Sequence, residues 1–150
     1  MGKVEMLHVE QSIMIRRPVE EIWAFVTDFR NLPELTLSVI EIRKMSPGPT
    51  GIGSTVEVLS RGLGRNWIES SRVIEFDPIN YIITLLWTGS YGKVRVHYVL
   101  EPVLKRTKFS ASADWELCFP YNLFGFFGLA RYIRRVVTAS LENVKRILET

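Results

Sequence analysis

Cysteine and histidine are nearly absent: Cys118 is the single cysteine, and His8 and His97 are the two histidines. One cysteine excludes an internal disulfide and a thiolate metal cluster. Two separated histidines add no zinc-ligand spacing. Long apolar runs are missing as well. A membrane-spanning helix needs roughly 18 apolar residues in a row, and the longest candidate, Leu123 to Ala130, falls well short before Arg131 closes it. Met1-Gly2-Lys3-Val4-Glu5 leads straight into alternating residues with no apolar h-region, so no signal peptide is expected and a cytoplasmic location is. Repeats, low-complexity tracts and linkers are lacking too, so residues 1–150 are expected to form one domain. Charge of one sign is in small excess, +3 with pI near 9.2. That balance tolerates an anionic partner without demanding one, and no nucleic acid is expected. What is present is ordinary globular composition, 47% hydrophobic and 23% charged over 150 residues.

The chain opens with the two-residue period of a half-buried strand: Val9, Gln11, Ile13 and Ile15 alternate with His8, Glu10, Ser12 and Met14. The period then changes. Val19, Ile22, Trp23 and Val26 recur at helical spacing, with Pro18 suited to the first helical position and Glu20 and Glu21 complementing the helix dipole. Asp28 to Leu35 reads as a second short helical region, broken by Pro33. Strands then follow at 38–44, 54–60, 66–76, 81–88, 93–101 and 108–118, separated by turn residues such as Gly62-Leu63-Gly64, Asp77-Pro78-Ile79-Asn80 and Gly89-Ser90-Tyr91-Gly92. A long amphipathic helix closes the chain. Leu129, Ile133, Val136, Val137, Leu141, Val144 and Leu148 form its apolar stripe, opposite Arg131, Arg134, Arg135, Thr138, Glu142, Lys145 and Glu149. Short connections make the strands an antiparallel meander, whose apolar face must be covered by that last helix.

The final strand alternates most cleanly: Phe109, Ala111, Ala113, Trp115 and Leu117 inward, Ser110, Ser112, Asp114 and Glu116 outward. The strand before it places Val94, Val96, Tyr98 and Leu100 inward, with Lys93, Arg95, His97 and Glu101 outward. Tyr81, Ile83, Leu85 and Trp87 are assigned inward. From Trp67 to Phe76 both phases carry apolar residues and no face is assigned. The inward set mixes small residues with large aromatic ones, which could line a pocket or pack tightly against the helix; the pattern alone favours packing. The segment Phe119 to Gly128 carries four phenylalanines and more apolar surface than one helix face hides. Its rings could close a cavity mouth, the preferred reading, or meet a membrane surface beside Arg131, Arg134 and Arg135, or form a dimer contact.

Little in the chain carries catalysis. The turn at 48–53 lacks the Gly-Lys-Ser/Thr ending of a phosphate loop and opens no helix. Both histidines fall on predicted outer faces, out of reach of an interior substrate. No serine or cysteine has a histidine base beside it. The remaining candidates are Tyr98 inside, with Glu57, Glu69 or Arg72 if their strands turn inward. A buried Glu69–Arg72 pair would be a functional candidate, set against the commoner surface pair.

Several local motifs resemble, in order and spacing, the polyketide cyclase/dehydrase and lipid-transport-like superfamily, whose helix-grip fold is shared with the birch-pollen allergen and START domains. They are the opening strand and helix start Ile13-Met14-Ile15-Arg16-Arg17-Pro18-Val19-Glu20-Glu21-Ile22-Trp23, the helix turn Asp28-Phe29-Arg30-Asn31-Leu32-Pro33-Glu34, the glycine turn Gly48 to Ser54, and the strand end Arg72-Val73-Ile74-Glu75-Phe76-Asp77-Pro78. The family's tryptophan shortly after the helix-turn proline is replaced around Leu35. The resemblance implies an α+β helix-grip fold: a curved antiparallel sheet of about seven strands around a long C-terminal helix, with two short helices after strand one. It implies binding or transport of a small hydrophobic ligand, lipid-like, isoprenoid or polyketide-like, in an internal cavity. A cyclase/dehydratase on the same scaffold, or a ubiquinone-chaperone-like or ribosome-associated binding partner, are the alternatives. The expected ligand-binding residues are Trp87, Tyr98, Ala113, Trp115, Phe124 and Phe127. No catalytic residue, metal or cofactor is assigned, transient membrane-surface contact is left open, and the protein is expected to be a monomer or homodimer.

Overall fold

The computed structural model describes residues 5–118 and 126–150, with the backbone alone for Glu5, Met6, Phe126 and Phe127. The elements run β1 (Glu5–Ile15), α1 (Val19–Val26), a single 3-10 turn (Phe29–Asn31), α2 (Leu32–Leu35), then β2 (Val39–Met45), β3 (Thr55–Gly62), β4 (Arg65–Asp77), β5 (Ile82–Gly89), β6 (Gly92–Val103), β7 (Arg106–Leu117) and finally α3 (Phe126–Glu149). Seven strands form one antiparallel sheet in the order β1-β7-β6-β5-β4-β3-β2. The meander runs from β2 to β7 and the opening strand closes onto its far end, so α1 and α2 carry the chain across the sheet. The helix-grip expectation is met. Among the described residues no helix is long and apolar enough to cross a membrane.

Two local readings shift. Pro18 sits just before α1 in an extended conformation, φ −62 and ψ 148, instead of occupying its first helical position. Pro33 does not break the second helical region; it lies in the first turn of α2, where its missing N–H costs nothing. Val19, Ile22 and Val26 of α1, and Leu32 and Leu35 of α2, are buried against the sheet. Trp23 stacks on Phe76 at 5.5 Å and meets Tyr81 edge-on at 5.7 Å, tying α1 to the β4–β5 corner.

The C-terminal end of α3 is held polar group by polar group. Lys145 Nζ donates to the Met14 carbonyl at 2.7 Å and to Glu149 at 2.7 Å. Glu149 also accepts from the Arg16 backbone N–H at 2.7 Å, and Arg17 Nε donates to the Leu148 carbonyl at 2.6 Å. Lys145 foremost, then Arg16, holds the Glu149 carboxyl down to about 2. The arginine on Leu148 also places a cation at the negative end of the helix. Further along, Leu141, Val144 and Ile133 bury the α3 stripe.

β4 carries a bulge. Val73 pairs with Leu85 and Glu75 with Thr84, leaving Ile74 as the extra residue. Residues before it face inward at odd numbers, Trp67 to Val73; after it, Phe76 does. This is why both phases of the segment looked apolar.

The β5–β6 turn depends on Gly92. Its φ is +133°, and a Cβ there would lie 2.1 Å from the Glu116 carbonyl oxygen on β7. Gly92→Ala is expected to cost more than about 1 kcal/mol and to lower the urea midpoint without changing the slope of unfolding.

Candidate functional site

The inner faces of the sheet and the first half of α3 do not close completely. They leave a cavity of about 190 Å³. An apolar cavity of about 150 Å³ in another protein accommodates a benzene ring, so this one is of the size for one or two rings. Ala111 and Ala113 on β7, each 5% exposed, leave the space that larger inward residues would fill. Trp87, Tyr98, Ala113 and Trp115 all line it, so the structure brings together four of the six residues expected from sequence. Phe124 lies outside the described residues, and of Phe127 only the backbone is described.

One end of the cavity is aromatic and polar. Tyr91 reaches in from the β5–β6 turn and is 7% exposed. Its ring contacts Trp115 at 5.4 Å and Trp67 edge-on at 5.7 Å. Its hydroxyl donates to Glu69 Oε2 at 2.5 Å. Burial first, then the charge of Glu69, pushes the Tyr91 phenol far above its ordinary 10, so it stays a donor. Trp67 Nε1 is held by the Gly62 carbonyl at 3.1 Å, and Tyr132 of α3 accepts from the Leu63 N–H at 3.4 Å, tying helix to hairpin.

At the other end Tyr98 is buried beside Phe109, ring centroids 5.6 Å apart. Burial raises its phenol pKa, and the neighbouring Thr36 hydroxyl partly opposes that. Three buried polar side-chain atoms have no hydrogen-bond partner among the described residues: Ser60 Oγ, Ser71 Oγ and Trp115 Nε1. Ser60 and Trp115 both line the cavity. Buried polar groups are paired as a rule, and each exception points to a strain, a function or a group that comes from outside.

The other catalytic candidates fall away from this site. Arg72 is exposed on the opposite face of β4 from Glu69, so the buried Glu69–Arg72 pair does not form. Residues of opposite parity on one strand cannot share a face without a bulge between them. Glu57 pairs with Arg43 at 3.5 Å, half exposed at the sheet edge. His97 bonds the Thr84 hydroxyl at 2.6 Å, which donates to Glu75 at 2.7 Å. His8 bonds Asp114 at 2.6 Å, and Asp114 followed by Glu10 raises its pKa above 6.5. Neither histidine lines the cavity. A second groove of about 300 Å³, between Thr27–Arg30 and Met45–Ser54, is polar, and its Asp28–Arg30 pair at 2.7 Å is already satisfied.

Sequence reasoning missed Tyr91 and Ser60 and left Glu69 unplaced. Tyr91 stood in a turn, where exposure is the default; an aromatic between Gly89-Ser90 and Gly92 was the available signal. Glu69 needed the bulge.

A sheet curved around a long C-terminal helix, with an apolar cavity between them, defines a helix-grip protein. Residues 6–149 match the family described as polyketide cyclase / dehydrase and lipid transport, and the chain belongs to that family. No curated protein matches the sequence. Solved structures agree on the fold. The Zhui aromatase/cyclase from Streptomyces sp. R1128 superposes with a TM-score of 0.82 at 16% identity, covering 97% of this chain and 94% of that one. A START superfamily protein from Mycobacterium smegmatis gives 0.78 at 14% identity, covering 95% and 97%. Ara h 8.0201 gives 0.71 at 13% identity, covering 97% and 100%.

Replacing Tyr91 by phenylalanine removes the donor of a hydrogen bond to a charged group, and urea unfolding should show a loss of about 1.5–3 kcal/mol. In ultraviolet titration of the folded protein the Tyr91 and Tyr98 phenols should resist ionisation above pH 10, their ordinary value. Their folded pKa values are raised, so their contribution is intact below pH 10 and falls as pH rises above it, where the unfolded chain loses these protons and the folded one keeps them.

Proposed function

We propose that the chain is one helix-grip domain that binds a small hydrophobic ligand in the cavity beneath α3, with Trp87, Tyr98, Ala113 and Trp115 forming the wall and Phe124 and Phe127 belonging to the same site. The observation that carries this reading is the cavity itself: apolar over most of its lining, yet offering Trp115 Nε1 and Ser60 Oγ, unpaired among the described residues, as hydrogen-bonding groups. Ligand sites are mostly apolar surfaces with a few placed polar groups that fix orientation. Affinity comes from area: at about 25 cal/mol per Å², roughly 55 Å² of ligand surface removed from water corresponds to a factor of ten. The family's description, which joins cyclase/dehydrase and lipid-transport members, supports a hydrophobic guest of this kind.

Titration with 1-naphthol, followed by quenching of the cavity tryptophans, should saturate at one site. Ala113→Phe fills the cavity and is expected to weaken that binding by at least about tenfold while the protein stays folded. Equal affinity in the folded variant would sink the reading.

A further inference from the structure

Resting on that cavity-binding reading, we infer that the ligand carries a protonated amine, seated between the Glu69 carboxylate and the rings of Tyr91 and Trp115. Glu69 is the one acidic residue lining the cavity among the described residues, and it is half-buried on the inner face of β4. A carboxylate drawn from water needs compensation. Among the described residues its hydrogen-bond partner is the Tyr91 hydroxyl at 2.5 Å, which fixes the carboxylate but brings no positive charge.

The basic side chains nearby do not supply that charge. Arg72 points to the opposite face. Arg61, at the rim, is exposed and donates to Asn66 Oδ1 at 3.1 Å. Arg65 is exposed and lies over the Trp67 ring at 4.7 Å, so one aromatic face at this end already takes a cation. None of them forms an ion pair with Glu69 among the described residues.

Beside the carboxylate stand aromatic rings, Tyr91 against Trp115 at 5.4 Å and against Trp67 at 5.7 Å. The faces of such rings attract a cation, and more strongly where water is excluded. Carboxylate, aromatic walls and an apolar chamber together describe a receptor for a hydrophobic ammonium. A neutral guest could meet the apolar wall, Trp115 Nε1 and Ser60 Oγ but would bring no charge to Glu69, and an anionic one would meet Glu69 with like charge.

The test compares three probes of one shape at neutral pH by calorimetry: 1-naphthylmethylamine, 1-naphthalenemethanol and 1-naphthoate. The amine should bind at least about tenfold tighter than the alcohol, and naphthoate weakest. Glu69→Gln should erase the amine's advantage over the alcohol, whereas Tyr91→Phe keeps the advantage because the carboxylate remains. An amine no tighter than the alcohol in the wild-type protein overturns the inference while leaving cavity binding intact; so does an advantage that survives Glu69→Gln. Failure of all three probes overturns the cavity-binding reading and this inference with it. If Glu69→Gln does not fold, the wild-type ranking of the three probes decides alone.

Discussion

The site rests on where α3 is fastened. At its C-terminal end, Lys145, Glu149 and the Leu148 carbonyl are locked to Met14, Arg16 and Arg17, and Leu141 and Val144 pack into the sheet. That end is therefore seated hard. Toward the other end the sheet offers Ala111 and Ala113 in place of large side chains, and the helix passes over a gap it cannot follow down. A rigid rod seated at one end of a curved surface leaves space under the other unless the side chains there are long. The cavity is thus a product of small residues on β7 beneath a helix fastened at its C-terminal end and, through Tyr132 and Ile133, to the β3–β4 hairpin and β1.

Polar groups are sparse in this chamber and unevenly placed. Tyr98 and Thr36 sit at the α2 end, while Glu69, Tyr91, Trp115 and Ser60 gather beneath the β3–β4 and β5–β6 turns. A guest bound here has two distinguishable ends. Apolar area sets how tightly such a site can hold, and the polar groups set which way round. The second role falls to Tyr91 on the β5–β6 turn, to Thr36 after α2, and to Ser60, Glu69, Tyr98 and Trp115 on four different strands.

How much of this the chain discloses before it folds depends on the kind of signal. β6 and β7 were legible residue by residue because each keeps unbroken two-residue alternation, and Tyr98, Ala113 and Trp115 followed from it. The α3 stripe was legible for the same reason at the helical period. The fastening of α3 was not, since Lys145 and Met14 lie 131 residues apart and only the folded chain brings them together. Tyr91 was hidden by its turn. Glu69 was hidden by Ile74, whose extra place in the strand cannot be seen in a hydrophobicity pattern that merely looks mixed.

That extra residue makes the character of the chamber a matter of counting. With Ile74 in place, Trp67, Glu69 and Ser71 turn inward while Phe76 keeps its seat beside Trp23. In the same strand paired without the bulge, with Phe76 still anchored, alternation would run unbroken through Ile74 and present Ile68, Ser70 and Arg72 instead. The wall would exchange a carboxylate for a guanidinium with no substitution at all. On this scaffold the sign of the charge offered to a guest is set by whether one strand bulges as well as by which side chains it carries.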